Sequence, residues 1–160
     1  ISLLLKVVME LPEQLLTKLP NGRTLGEEAL MPVVSYVRLI EQLHVSWREL
    51  TIKAIIPGTG GGVAKLCFDK RPFTYRINRW VELPHIMQFL LEKGISKQGL
   101  YTTFNCGIGM YLIVAAKHVE AIMARGKTAD CELIDLGMVE EGPRQVIFEP
   151  ENLVLPPPEG

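Results

Sequence analysis

Residues 104–110 read Phe-Asn-Cys-Gly-Ile-Gly-Met and run directly into the apolar stretch Tyr-Leu-Ile-Val. Two glycines flanking one isoleucine, followed by that stretch, predict a tight bend that delivers the chain into a strand over 110–115. Further up the chain, residues 58–62 read Gly-Thr-Gly-Gly-Gly after another apolar run. Brought together, two such bends would line a cleft with bare amide N–H groups, a surface suited to phosphate or another anion. The candidate anion-binding residues are therefore Thr59, Gly60, Gly61 and Gly62 in one loop and Asn105, Gly107 and Gly109 in the other. Each loop also has a purely structural reading. The glycines would serve turns that need positive φ, Thr59 would cap its turn, and Asn105 would satisfy local backbone groups.

Moving outward, the 160-residue length suits one domain. With 48% hydrophobic and 22% charged residues, the chain can bury a core and is not a disordered polyelectrolyte. A formal net charge of −1 creates no global pull toward nucleic acid or an anionic membrane, and neither is expected as a partner. Cys67, Cys106 and Cys131 are odd in number and widely spaced, and His44, His85 and His118 are scattered. No metal site and no disulfide scaffold are expected, which makes the cytoplasm the default compartment. The opening ISLLLKVVM is too short to span a bilayer, contains Lys6, and carries no cleavage signal, so a buried helix is expected there. The chain starts at Ile1 rather than at Met, and an upstream segment is expected.

Pro12 should stop the first helix, and Pro20-Asn21-Gly22 should turn the chain. Thr24 with Glu27 three residues later has the pattern of a capping box for a helix over 25–30. The stretch 33–43 mixes strand and helix signals and reads as a strand running into a helix, with Ser46 capping a turn beyond it. A buried strand is expected over 52–56 and a short one over 64–68. Residues 69–79 read as irregular and basic. There Lys70, Arg71, Arg76 and Arg79 form either a solvated face or a rim that attracts a phosphate. Pro84 should open a helix that Gly94 ends, and Ser96 should cap the next one, to about residue 103. A helix over 117–125 should close at Gly126. Strands over 132–139 and 145–149 should form a hairpin through a Glu-Glu-Gly-Pro turn. The triple proline of residues 155–160 predicts an extended, unpacked tail. The class is α+β. No residue is assigned a catalytic role. Cys106 reads as a packed thiol, His85 as a surface or capping residue, and Trp47 and Trp80 as packing anchors.

The order of motifs resembles one enzyme family. A TGGG loop is followed by a Trp and a Pro before a helix, then by FNxGIGM entering a strand, a helix, and a strand beginning near ELIDLG. This is similar to the C-terminal domain of phosphoribosylformylglycinamidine cyclo-ligase (AIR synthetase). The segment TLGEEALMPVVSYV resembles that family's TLGEALLxPTxxYV, and the likeness covers nearly all of residues 1–150. It implies an AIR synthetase C-terminal-like domain over 1–150, with 151–160 as the proline-rich tail. The implied fold is a layered α/β/α domain with a mixed, partly ferredoxin-like sheet. The implied activity is the ATP-dependent conversion of formylglycinamidine ribonucleotide to aminoimidazole ribonucleotide in purine synthesis. ATP and Mg2+ would be held mainly by an N-terminal half, which is also the implied partner and the main homodimer contact. This chain alone would be inactive. Family members carry a His two residues before the Thr of TGGG, where this chain has Pro57. The segment after the loop also differs, and Lys65 or Arg71 would take over an anion contact. The alternatives are another enzyme of the superfamily, such as formylglycinamidine ribonucleotide synthetase, selenophosphate synthetase, thiamine-monophosphate kinase or a hydrogenase maturation protein, or else a non-catalytic binding or assembly module.

Overall fold

A computed structural model describes residues 2–45 and 49–158. Ser46 and Trp47, expected as a cap and a packing anchor, lie outside these residues. Helix α1 spans Ser2–Met9 and packs Val8 with Leu19, Leu25 and Phe89 in a small apolar cluster. A turn at Gly22 closes a tight loop in which the Leu19 N–H donates to the Arg23 carbonyl. Helix α2, Leu25–Ala29, begins with the expected capping box: Thr24 Oγ1 accepts from the Glu27 N–H, and the Glu27 carboxylate accepts from the Thr24 N–H. Residues 31–36 then take no regular structure before helix α3, Val37–Val45. Of the strand running into a helix expected over 33–43, only the helix forms, and residues 33–36 pair with none of the described strands.

Strand β1, Ile52–Pro57, carries the chain into the first glycine loop, and only Ile56 of it is fully buried. The segment expected as a strand over 64–68 is instead a 3-10 helix, Gly62–Cys67. Strand β2, Phe73–Ile77, lies inside the stretch expected to be irregular. Its basic side chain, Arg76, bridges Glu140 and Glu149, while Thr74, Tyr75 and Ile77 are buried. Helices α4, His85–Glu92, and α5, Lys97–Thr103, begin at Pro84 and Ser96 as expected. Strand β3, Met110–Val114, follows the second glycine loop. Helix α6, Val119–Thr128, runs through Gly126 rather than ending there. Gly126 is a packing position, since a Cβ on it would sit 2.7 Å from the Leu133 side chain. The chain turns only after the helix, at Asp130, in the left-handed region.

The protein has an α+β fold, with two sheets among the described residues. Strands β1 and β3 form an antiparallel pair, backed by α3 and α6 through Leu39, Leu43, Ile122 and Ala129. The other sheet has four strands: β2 together with β4 (Gly137–Glu141), β5 (Gln145–Phe148) and β6 (Leu153–Leu155). They are arranged in the order β4-β2-β5-β6. The expected hairpin of the last two long strands is therefore wrong. The chain does reverse at Gly142–Pro143, but it wraps around the start of β2, so that β2 lies between β4 and β5. Thr74 Oγ1 donates to the Pro143 carbonyl and the Gly142 N–H donates to the Pro72 carbonyl, which holds the wrap. Of the tail expected to be unpacked from Leu155 onward, Leu155 itself ends β6 and is fully buried, while residues 156–158 take no regular structure. The main core lies between the sheets and α5, with Trp80 edge-on to Phe148 and Tyr101 at its centre. Among the described residues, no helix is long and apolar enough to cross a membrane.

Candidate functional site

Strands β1 and β3 pair antiparallel with Pro57 opposite Met110, so the loop after β1 and the loop before β3 meet at one end of the pair. They touch directly: the Gly58 N–H donates to the Gly109 carbonyl at 2.8 Å. A Cβ on Gly58 would lie 2.3 Å from the Ile108 carbonyl oxygen. This closeness of main chains explains the glycine at 58 without any ligand.

In the first loop Gly60, Gly61 and Gly62 all have positive φ, of 67°, 106° and 57°. Thr59 and Gly60 are exposed, Gly61 is half-buried and Gly62 is buried. A Cβ on Gly62 would fall 2.4 Å from the Tyr101 carbonyl oxygen, because the loop docks on the C-terminal end of α5. A Cβ on Gly60 would meet nothing within 4 Å. The N–H groups of Gly60 and Gly61 have no acceptor among the described residues. Lys65 stands beside this loop, its Cβ 3.9 Å from where a Gly61 Cβ would be and its ammonium over the Phe68 ring at 5.4 Å. Arg71 is turned elsewhere: it grips Asp69 with two hydrogen bonds of 2.8 and 2.9 Å, which hold the Asp69 carboxyl below its usual range.

In the second loop Asn105 is half-buried, and its Oδ1 accepts weakly from the Gly107 N–H at 3.4 Å. Gly107 is exposed with a φ of 101°. Cys106 is fully buried, with its carbonyl accepting from Trp80 Nε1 and its thiol pushed up to about 12 by burial. That thiol is no nucleophile, in keeping with its reading as a packing residue. Gly107, Ile108 and Gly109 border a cavity of about 1130 Å3 that opens between β3 and residues 130–139, walled mostly by aliphatic side chains. Residues 59–62 do not border it. The loops thus share a seam rather than one hollow: the first faces outward with open amides, and the second rims the cavity.

Two neighbours of the site have no local signal in the sequence. The Tyr36 hydroxyl lies over Gly109, so close that a Cβ there would sit 2.0 Å from it, and burial raises that phenol, with the Cys131 thiol adding to the effect. Pro158 packs on Gly61, its Cβ 3.3 Å from the position a Gly61 Cβ would take. Among the described residues, no group of three or more His, Cys, Asp or Glu side chains is placed to hold a metal ion.

Comparison with known proteins places these loops in context. No family model matches the chain. Curated relatives do. The chain is 35% identical over 79% of its length to a protein of Alkaliphilus oremlandii named phosphoribosylformylglycinamidine cyclo-ligase. Proteins of the same name from Neisseria meningitidis and Rippkaea orientalis are 31% and 34% identical over 88% and 82% of the chain. This chain is a divergent relative of phosphoribosylformylglycinamidine cyclo-ligase. It spans about two fifths of the length of these cyclo-ligases, 38% to 41%. A match over 88% of the chain necessarily takes in both glycine loops, so the seam between them belongs to the shared part.

Proposed function

We propose that this chain is the C-terminal half of an ATP-dependent cyclo-ligase that converts formylglycinamidine ribonucleotide to aminoimidazole ribonucleotide. The observation that carries the reading is the hydrogen bond joining Gly58 to Gly109, which sets both glycine loops on one seam within the segment shared with the cyclo-ligase relatives. On this reading the N–H groups of Gly60 and Gly61 hold a phosphate oxygen, where the absence of side chains permits close approach. Lys65 supplies a positive charge beside them, and Asn105 orients the substrate from the second loop. ATP, when bound, would activate the substrate amide oxygen for loss as phosphate. This chain's part is to hold the ribonucleotide in line and shield its charge. The site's residues suit a phosphate, and among the described residues no carboxylate cluster stands ready for Mg2+. The whole protein, on the same reading, is a cytoplasmic homodimer in purine synthesis whose N-terminal half supplies the remaining ATP and metal ligands.

Arg71 is set aside as an anion contact, since Asp69 occupies its guanidinium. A second reading, a binding module without catalysis, draws support from Pro57 standing in place of the family's His and from the packing reasons found for Gly58 and Gly62. The test is to supply the N-terminal half from the same source and measure phosphate release that depends on formylglycinamidine ribonucleotide. Turnover is expected, and Gly60→Val, which blocks the approach to the loop amides, should reduce it by roughly 100-fold or more, the scale of one lost oxyanion contact. Associated, folded halves without turnover would favour the binding module.

A further inference from the structure

Beyond the second glycine loop the chain enters a strand with one edge unused. Among the described residues β3 pairs with β1 and with no other strand. The bond from the Gly58 N–H to the Gly109 carbonyl lies in register with that pairing. Hydrogen-bonded and open pairs alternate along an antiparallel ladder. Tyr111 and Ile113 therefore point their main-chain groups at β1, and Met110 and Leu112 point theirs away from it. Among the described residues, the Met110 and Leu112 N–H groups find no main-chain acceptor on that outer side. Exposed strand edges are commonly blunted by charge, proline or a bulge. The sequence of β3, Met-Tyr-Leu-Ile-Val, carries no charge and no proline.

The cavity of about 1130 Å3 lies along this edge, bordered by every residue from Gly107 to Val114 in succession. Successive side chains of a strand face opposite ways, so a hollow that meets each residue in turn follows the edge rather than one face. Across it stand residues 130–139, which include the outer side of β4 as far as Val139. β4 is the outermost strand of its sheet, so the hollow is a slot between two sheet edges. Tyr111, which borders it, has a buried hydroxyl without a hydrogen-bond partner among the described residues. The slot also has a sign of charge. Its charged border residues, Glu120, Asp130, Glu132 and Asp135, are all acidic and exposed. Arg79 answers Asp135 at 3.8 Å, while the other three form no ion pair among the described residues, although Lys127 shares an outer hollow with Asp130 and Glu132.

We infer that this slot takes an extended peptide as an added strand on β3, a peptide whose apolar side chains alternate with lysine or arginine. Main-chain bonds to Met110 and Leu112 hold it, the aliphatic walls take its apolar side chains, and the carboxylates at the mouth take its cations. The inference does not depend on the anion reading of the glycine loops.

The test titrates the 160-residue chain with a synthetic Lys-Val repeat of about eight residues, long enough to cover one strand. A Glu-Val repeat and a Lys-Val repeat N-methylated at every second residue serve as comparisons, and amide exchange at Met110 and Leu112 is followed by NMR. The Lys-Val peptide should bind and slow exchange at both amides. Its N-methylated form should bind at least about tenfold more weakly, the scale of two lost main-chain bonds. Glu120→Lys and Glu132→Lys, both at exposed positions, should each weaken it roughly threefold, and added salt should weaken it further. Three results overturn the inference: no binding, equal binding of the Glu-Val peptide, or binding that leaves the two amides exchanging as before. Amides already protected without peptide overturn it as well. In a monomer that result would mean that residues 132–136 close the edge themselves, and in a dimer that a second copy occupies it.

Discussion

Gly60 and Gly62 stand two residues apart, both with positive φ, yet they are glycine for different reasons. At Gly62 the α-carbon is pressed against the Tyr101 and Phe104 carbonyls, and a methyl group there would collide with backbone. At Gly60 a methyl group would point into open space. Gly62→Ala should therefore cost about 3 kcal/mol or more, a clash added to left-handed strain. Gly60→Ala should cost only about 1 kcal/mol, the strain alone. Urea unfolding of the two variants checks this, and equal costs would contradict the packing described here. The same contrast tells which substitution probes a ligand. A side chain at Gly61 would first displace Pro158, whereas one at Gly60 reaches only solvent or a bound anion.

Among the elements, those that begin with a local side-chain signal were legible in the sequence. Thr24 and Glu27 announce α2, Ser96 announces α5 by accepting from the Gly99 N–H, and Pro84 opens α4. Thr24→Ala removes a hydrogen bond of 3.2 Å to the Glu27 N–H and should lower stability by about 1 kcal/mol, measurable as a smaller urea midpoint with an unchanged slope. A variant as stable as the parent would mean that α2 is held by Leu25 burial alone. Strand β2 was not legible, because Arg71, Arg76 and Arg79 give its surroundings the look of a solvated loop. The strand exists because its neighbours supply Glu140 and Glu149 to one side chain and a core to the others. The false hairpin has a similar cause: a Gly-Pro turn reports that the chain reverses, not which strand lies beside it. Of the candidate site, the two glycine bends were each legible beside an apolar run, but their meeting in a seam, without the shared cleft expected, follows from the β1–β3 pairing, which has no local signal. Tyr36 and Pro158 were not legible either, since each reaches its glycine from far away in sequence and carries no local pattern that points there.

Over the whole molecule, the main core houses ionisable groups that burial keeps protonated, among them the Cys106 thiol, pushed up to about 12, and the Tyr101 and Tyr111 phenols, both raised. The unfolded chain releases the thiol proton at ordinary pH values while the folded chain retains it. The contribution from Cys106 is thus fully present below about pH 9 and is lost as pH rises toward 12, by about 1.4 kcal/mol per pH unit. Urea unfolding at pH 8, 9.5 and 11, each an approximate setting spanning that window, should show the decline, and Cys106→Ala should make it shallower. Stability that stays level across the range would mean that the thiol is not sealed. The position of β2 in its sheet also has a consequence for synthesis. Phe73 pairs with Glu141 on one edge and Thr74 with Gln145 on the other, so a nascent chain must hold β2 with bare edges until residues 137–148 have left the ribosome. Ribosomal stalling before Gln145 would leave a bare, sticky β-ribbon for chaperones to guard, and the sheet closes only once β5 has emerged.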